Sequence, residues 1–207
     1  MHVALIGATG NAGSRVLAEL VRRGHSVAAI ARNAAQVPSL SGVEAKSGDV
    51  SDEKRLVALL KGNDAVISSV PFAKTDPGKL IGAVRASGVP RYLVVGGAGS
   101  LEVALGKFPL GLKLIDAPNF PEAHRQEAAV GCAFLEQLRA ETELDWTFLS
   151  PSAMFVSGQR TGAFRLGADL LLSNEQGSSI SFEDYAVALV DELERPEHSR
   201  KRFTVGY

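Results

Sequence analysis

The stretch that decides the fold is Gly7-Ala8-Thr9-Gly10-Asn11-Ala12-Gly13, entered from the apolar run His2-Val3-Ala4-Leu5-Ile6 and left through the helix-compatible segment Ser14–Arg23. A strand, a glycine turn and a helix in that order make a phosphate-binding site. Gly7 lets the strand turn sharply, Gly10 lets a pyrophosphate approach the backbone, and Gly13 lets the helix pack closely on the strand. The unbonded amides at the helix start, near Asn11 and Ala12, then face the anion. Ala8 stands where the second glycine of Gly-x-Gly-x-x-Gly would be, so the pattern is Gly-x-x-Gly-x-x-Gly. Such a triplet also occurs in plain tight turns; the preceding strand and the following helix supply the context that dinucleotide binding requires.

Outward from this loop, apolar runs alternate with amphipathic stretches. Strands are expected at Val3–Ile6, Ser26–Ala31, Val43–Lys46, Ala65–Ser68, Tyr92–Val95, Trp146–Leu149 and Arg202–Val205. Helices are expected at Ser14–Arg23, Asp52–Leu60, Gly78–Ser87, Glu122–Ala140 and from a Ser181-Phe182-Glu183-Asp184 capping box to about Glu194. The strands are continuous Val/Ile/Leu runs, as expected where both faces are buried. Alternation of this kind implies a doubly wound, mainly parallel α/β sheet with helices on both faces, in one dinucleotide-binding domain over 1–207. Residues 96–121 and 154–180 break the alternation. Both follow strand ends, where open α/β sheets bind ligands, and both are read as substrate-side loops, the second leading into a small C-terminal elaboration.

Composition narrows the function. The 22 Lys and Arg against 23 Asp and Glu give a net charge of -1, so no basic excess is present to hold nucleic acid. A single cysteine, Cys132, excludes an internal disulfide and suits a reducing, cytoplasmic setting. The four histidines have no metal-ligand spacing, and no apolar run is long enough for a membrane span.

The strand ends read as a cofactor track. Ala31 is followed by Arg32 where NAD-binding folds place an acid for the ribose 2′-hydroxyl. Arg32 is either a bidentate partner for a 2′-phosphate, which favours NADP(H) over NAD(H), or a solvated arginine at a helix start. In Gly48-Asp49-Val50, Asp49 is either an acceptor for the adenine amino group, with Val50 against the ring, or a helix cap. Ser69 and Val70 follow the fourth strand, Gly96 and Gly97 the fifth, and Pro151 and Ser152 the sixth. The small residues leave room for a flat ligand across the sheet, with Pro151-Ser152 at the nicotinamide end.

With Gly7–Gly13, Gly48-Asp49-Val50, Gly96-Gly97-Ala98-Gly99-Ser100, Leu149-Ser150-Pro151 and Ile180–Ala186 in view, the chain resembles the atypical short-chain dehydrogenase/reductases. It is most similar to the group of NmrA-like regulators, biliverdin-IXβ/flavin reductases and NADH-flavin reductases. That resemblance implies a Rossmann-type fold, a nicotinamide cofactor and a small-molecule hydride acceptor such as a flavin or quinone. The chain departs from the wider superfamily in lacking the Tyr-x-x-x-Lys dyad: Tyr92 is followed four residues later by Gly96, and Tyr185 by Leu189. His124 is the candidate replacement as proton donor, with Arg125 polarising a carbonyl, or else both belong to an exposed helix start. Ser100 either orients a carbonyl or caps its loop. An NADP(H)-binding redox-sensing regulator without turnover and an epimerase or dehydratase are the alternative functions.

Overall fold

The computed structural model describes residues 1–103 and 111–207; residues 104–110, inside the 96–121 segment, lie outside the described residues. Ten strands and five α-helices follow in chain order: β1 (His2–Ile6), α1 (Asn11–Arg22), β2 (Ser26–Ala31), β3 (Val43–Ser47), α2 (Glu53–Leu60), β4 (Ala65–Ser68), α3 (Pro77–Ser87), β5 (Arg91–Val95), α4 (Arg125–Arg139), β6 (Asp145–Ser150), β7 (Met154–Val156), β8 (Arg165–Gly167), β9 (Ser179–Ser181), α5 (Phe182–Glu194) and β10 (Lys201–Gly206). Eight strands form one sheet in the order β3-β2-β1-β4-β5-β6-β10-β8. All its pairings are parallel except β10 with β8. This is the doubly wound α/β sheet of a Rossmann-type fold.

Side chains alternate across each strand, so the sheet divides its apolar residues between two cores. Leu5, Ala29, Ile67, Leu93, Leu149 and Phe203 pack with Val16 and Leu20 of α1 and Tyr185 and Leu189 of α5. Ile6, Ile30, Val66, Tyr92, Val94 and Phe148 face Leu56 of α2, Val84 of α3 and Phe134 of α4. A central strand covered on both faces has no polar side to show, which is why these runs do not alternate in sequence.

Local signals place the helix ends. Asp52 caps α2 by accepting from the Arg55 amide, and Asp76 caps α3 from the Lys79 amide. Half of the expected capping box at α5 forms: the Ser181 hydroxyl accepts from the Asp184 amide. The return bond does not form. The buried Asp184 carboxylate instead accepts from the Thr161 and Gly162 amides and from the Thr161 and Tyr207 hydroxyls.

The 154–180 segment is more ordered than an irregular loop. It holds β7, which pairs with β9 in a separate two-stranded parallel sheet, and β8, which adds an antiparallel edge to the main sheet. Each of the three strands spans only three residues, too few to leave a periodic signature. The two segments meet: Glu102 exchanges backbone hydrogen bonds with Asp169 and Leu171 at 2.8 Å. Residues 157–161 strap α1 to α5 through Ser157–Arg15, Gly158–Glu183, Arg160–Glu19 and Thr161–Asp184 contacts. The loop after β5 meets α4 instead, where a Cβ on Gly99 would lie 2.9 Å from the Ala128 Cβ. Cys132, on α4, is half-buried rather than a core residue.

Candidate functional site

The chain leaves β1 for β2 on one side and returns to β4 on the other. The crevice at such a switch point, beyond the carboxyl ends of the strands, is where open α/β sheets take their ligands. Here it contains the glycine loop. The Gly7 amide donates to the Ile30 carbonyl at 2.9 Å, and the Ser69 amide to the Ile6 carbonyl at 2.8 Å. These bonds fix the loop between β2 and the end of β4.

The glycines are required for different reasons. Gly7 has φ +82°, and a Cβ there would lie 2.0 Å from the Ser69 carbonyl oxygen. A Cβ on Gly13 would lie 2.1 Å from the Gly7 carbonyl oxygen, so α1 can approach its own entry loop only without one. At Gly10, the N-cap of α1, the nearest atom to a Cβ is 3.4 Å away and the backbone is extended. Gly10 is therefore not needed for packing; it keeps the helix end uncovered.

That helix end has unsatisfied donors. The Gly10 amide bonds back to Gly7 and the Ser14 amide to Gly10, while no acceptor for the Asn11, Ala12 and Gly13 amides is found among the described residues. No side chain caps this end and its first turn carries no acid. Amides and helix dipole together make an anion site, so the residues present fit a dinucleotide pyrophosphate. Thr9 lies on the same turn.

At the ends of β2 and β3 is a shallow depression of about 230 Å³ lined by Arg32, Ser47, Gly48, Asp49, Asp52 and Arg55. Arg32 is exposed and has no ion-pair partner among the described residues. Asp49 is engaged locally, accepting from the Ser51 amide and hydroxyl at 2.8 and 2.7 Å. Those bonds, with a smaller effect of Arg32, hold its carboxyl below the usual range. Val50 packs partly against the α2–α4 core. Arg55 had no place in the sequence reading. Its signal was available: it occupies the third position of α2, where a capping box would have Glu or Gln.

Farther along the sheet most polar side chains are bonded internally, although the buried Ser150 Oγ at the end of β6 has no partner among the described residues. The Tyr185 hydroxyl donates to the Leu149 carbonyl at 2.6 Å and accepts from the Gly96 amide at 3.2 Å, tying the ends of β5 and β6. Tyr92 shares a hydrogen bond with Ser68. Burial raises both phenols far above their ordinary range. Tyr207 is raised as well, first by burial, and its hydroxyl bonds Ser181 and Asp184. Gly96 admits no Cβ, because Phe148 and the Leu149 carbonyl are in its way, whereas at Gly97 the nearest atom is 3.7 Å off. Pro151 is buried, and the buried Ser152 hydroxyl donates to Val205.

The candidate catalytic residues separate. Ser100 is buried, and its hydroxyl accepts from Arg202 at 3.5 Å; the same guanidinium is paired with Asp169. His124 ends an exposed turn before α4, and only its backbone hydrogen bond to Pro121 is found among the described residues. Arg125 is not free to polarise a carbonyl of a ligand: it binds Glu122 and the Ile115 carbonyl and lies over the Phe120 ring. Neighbouring Glu127 has a structural role instead, accepting from the Phe72 and Ala73 amides after β4. Among the described residues no three His, Cys, Asp or Glu side chains could hold a metal, and no helix is long and apolar enough to cross a membrane.

A doubly wound sheet with an open amide cradle at its switch point defines a dinucleotide-binding protein. The model of the NAD(P)H-binding family matches residues 7–196, and the chain belongs to that family. YwnB of Bacillus subtilis (strain 168) is 38% identical over 216 residues, spanning 99% of this chain and 98% of YwnB. A Bacteroides thetaiotaomicron structure provisionally designated an epimerase is 39% identical, with a TM-score of 0.92 over 100% of this chain and 96% of that one. SP1627 of Streptococcus pneumoniae TIGR4, provisionally designated an NADH-flavin reductase, is 36% identical, with a TM-score of 0.83 over 100% and 99%.

Proposed function

We propose that this protein is a reductase that takes NADPH in preference to NADH and passes hydride to a flavin, quinone or similar conjugated small molecule. The observation that carries the reading is the commitment of all three tyrosine hydroxyls to internal bonds beside an open phosphate cradle. Reduction of an isolated carbonyl benefits from a positioned acid. A flavin or quinone can draw its proton from solvent, so a protein without a free phenol suits that acceptor class. The designation of SP1627 agrees with this choice.

The nicotinamide cofactor, when bound, supplies the hydride. The chain supplies position. The Asn11–Gly13 amides hold the pyrophosphate, and Thr9 lies on the same turn. Arg32 meets the ribose 2′-phosphate at the end of β2, where it forms no ion pair among the described residues, and Asp49 and Val50 border the adenine. Ser69, Val70, Gly96 and Gly97 form the low floor across the sheet. Pro151 and Ser152 offer backbone at the far end, since the Ser152 hydroxyl is spent on Val205. The loops after β5 and β6 wall the acceptor and exclude water.

Two measurements test the reading. NADPH oxidation is followed with a panel of flavins and quinones, and turnover with at least one is expected. Tight NADPH binding with no turnover on any acceptor would replace the reductase with a redox-sensing binder. The designation of the Bacteroides relative raises an epimerase as a second reading; turnover of a sugar nucleotide without net NADPH consumption would favour it. Cofactor choice is read separately: Arg32→Ala is expected to weaken NADPH about tenfold and leave NADH nearly unchanged. Equal affinities in the unaltered protein would end the NADP preference.

A further inference from the structure

The adenosine-side depression holds a second cation that the reading above does not use. We propose that Arg55 and Arg32 together form a two-guanidinium seat for the ribose 2′-phosphate, making Arg55 a second determinant of cofactor choice. This rests on the NADP preference proposed for the same site.

Twenty-three positions separate the two arginines, and the β2–β3 pairing brings them to one rim. Ser47 organises both. Its carbonyl accepts from Arg55 Nε at 3.1 Å, and its hydroxyl donates to the Arg32 carbonyl at 3.2 Å. The first bond fixes the Arg55 side chain at the rim through Nε and leaves the two terminal nitrogens for another acceptor. Those nitrogens are the pair that meets phosphate oxygens side by side.

Asp49 and Asp52 share the depression, and Arg32 acts on Asp49 from a distance, but neither acid forms an ion pair with the arginines. Among the described residues neither arginine lies within salt-bridge distance of a carboxylate. The two acids on the rim are occupied elsewhere: Asp49 by Ser51, and Asp52 by the Arg55 amide. Helix α2 offsets its positive end with the N-cap Asp52 and with Glu53. Arg55 and its neighbour Lys54 stand in the first turn, at the positive end of the helix dipole, where a cation is disfavoured. The site offers Arg55, held through its Nε, and the exposed Arg32 over a concave floor of Ser47 and Gly48, with Asp49 and Asp52 on the same rim.

The test uses the intact protein and calorimetry with two probes, adenosine 2′,5′-bisphosphate and adenosine 5′-monophosphate. They differ only in the 2′-phosphate. Arg55→Ala is expected to weaken the bisphosphate about tenfold and the monophosphate less than twofold. Arg55→Lys is expected to recover part of the loss, because it restores charge but not the paired geometry. The double variant with Arg32→Ala is expected to bind both probes alike. Circular dichroism should show every variant folded, since both side chains are exposed. Equal weakening of both probes by Arg55→Ala overturns the proposal and places Arg55 against the adenosine. A response to Arg32→Ala but not to Arg55→Ala overturns the role of Arg55 and leaves the NADP preference standing. No discrimination between the probes in the unaltered protein overturns both.

Discussion

The two halves of the sheet edge handle polar groups in opposite ways. On the β1–β3 side, backbone amides at the start of α1, the guanidinium of Arg32 and the two terminal nitrogens of Arg55 have no partner among the described residues. On the β5, β6 and β10 side the main polar side chains are bonded internally, Tyr185 by Leu149 and Gly96, Ser152 by Val205, Arg202 by Asp169 and Ser100, while Arg91 Nε, Trp146 Nε1 and Ser150 Oγ are buried without a partner among the described residues. Unmet donors at a surface are held there by water and await a stronger acceptor; bonded ones define shape. On the function proposed above, the first half recognises a charged ligand by chemistry, and the second receives its acceptor by form.

The comparison is broken most severely within the glycine loop itself. Gly13→Val forces side-chain atoms against the Gly7 carbonyl and should destabilise the protein by about 3 kcal/mol or more, read as a lowered urea midpoint. Gly10→Val has 3.4 Å of room at Cβ and an unstrained backbone, so its stability should change by less than about 1 kcal/mol. It should nonetheless lose cofactor affinity about a hundredfold, as phosphate bonds to two amides are blocked. If Gly10→Val bound NADPH normally by calorimetry, the loop would be a turn and not a cradle.

A third variant asks whether the strap over α1 is purely structural. Arg160 is the main partner that holds the buried Glu19 carboxyl down at about 2, from an ordinary 4.5; burial opposes it and Arg23 assists. A depressed carboxyl pKa contributes stability above pH 4.5 that is lost as pH falls toward 2. Arg160→Ala should therefore cost about 1–2 kcal/mol at pH 7, with Arg22 and Arg23 still in place, and less at pH 3. Cofactor affinity should not move. A cost that is the same at both pH values would assign the loss to packing, and a change in NADPH affinity would join the strap to the cofactor site.

The first half was far more legible in the sequence than the second, for a physical reason. A cradle made of backbone needs glycines, and Gly7, Gly10 and Gly13 announce it wherever a strand precedes and a helix follows. Buried parallel strands need unbroken apolar runs, so β1, β2, β4, β5 and β6 were placed to within a residue or two. Helix α1 starts three residues earlier than expected, because Asn11–Gly13 belong at once to the motif and to the first turn. The second half is built from long-range side-chain bonds. Nothing near Asp184 in sequence reveals that Thr161 and Tyr207 will fill its carboxylate, and three-residue strands carry no period. Tyr185 was visible as part of a family pattern, but its bridge between β5 and β6 depends on the packing of α5. Arg55 was legible as a basic residue at the wrong end of a helix; its meaning required the β2–β3 pairing.

The smallest expected effect bears on the largest remaining claim, that the acceptor half contributes form and no acid. His124 is the one sequence-derived proton donor left with a free side chain among the described residues, since the tyrosines are internally bonded and Ser100 is held by Arg202. It stands on an exposed turn, where an imidazole is held by little besides its own backbone. A general acid must be fixed within hydrogen-bond reach of the atom it serves, and such an acid is worth about 10²–10⁴-fold. A mobile, solvated side chain competes poorly with water for that role when the acceptor is a flavin or quinone. His124→Ala should therefore lower kcat by less than about tenfold with such an acceptor and leave NADPH affinity unchanged. The measurement is steady-state NADPH oxidation with saturating acceptor, repeated at two pH values on either side of the ordinary imidazole range. A loss of about a thousandfold, with a pH profile that flattens in the variant, would make His124 the catalytic acid. The acceptor half would then recognise its ligand by chemistry as well, and the contrast between the two halves would fail at that residue.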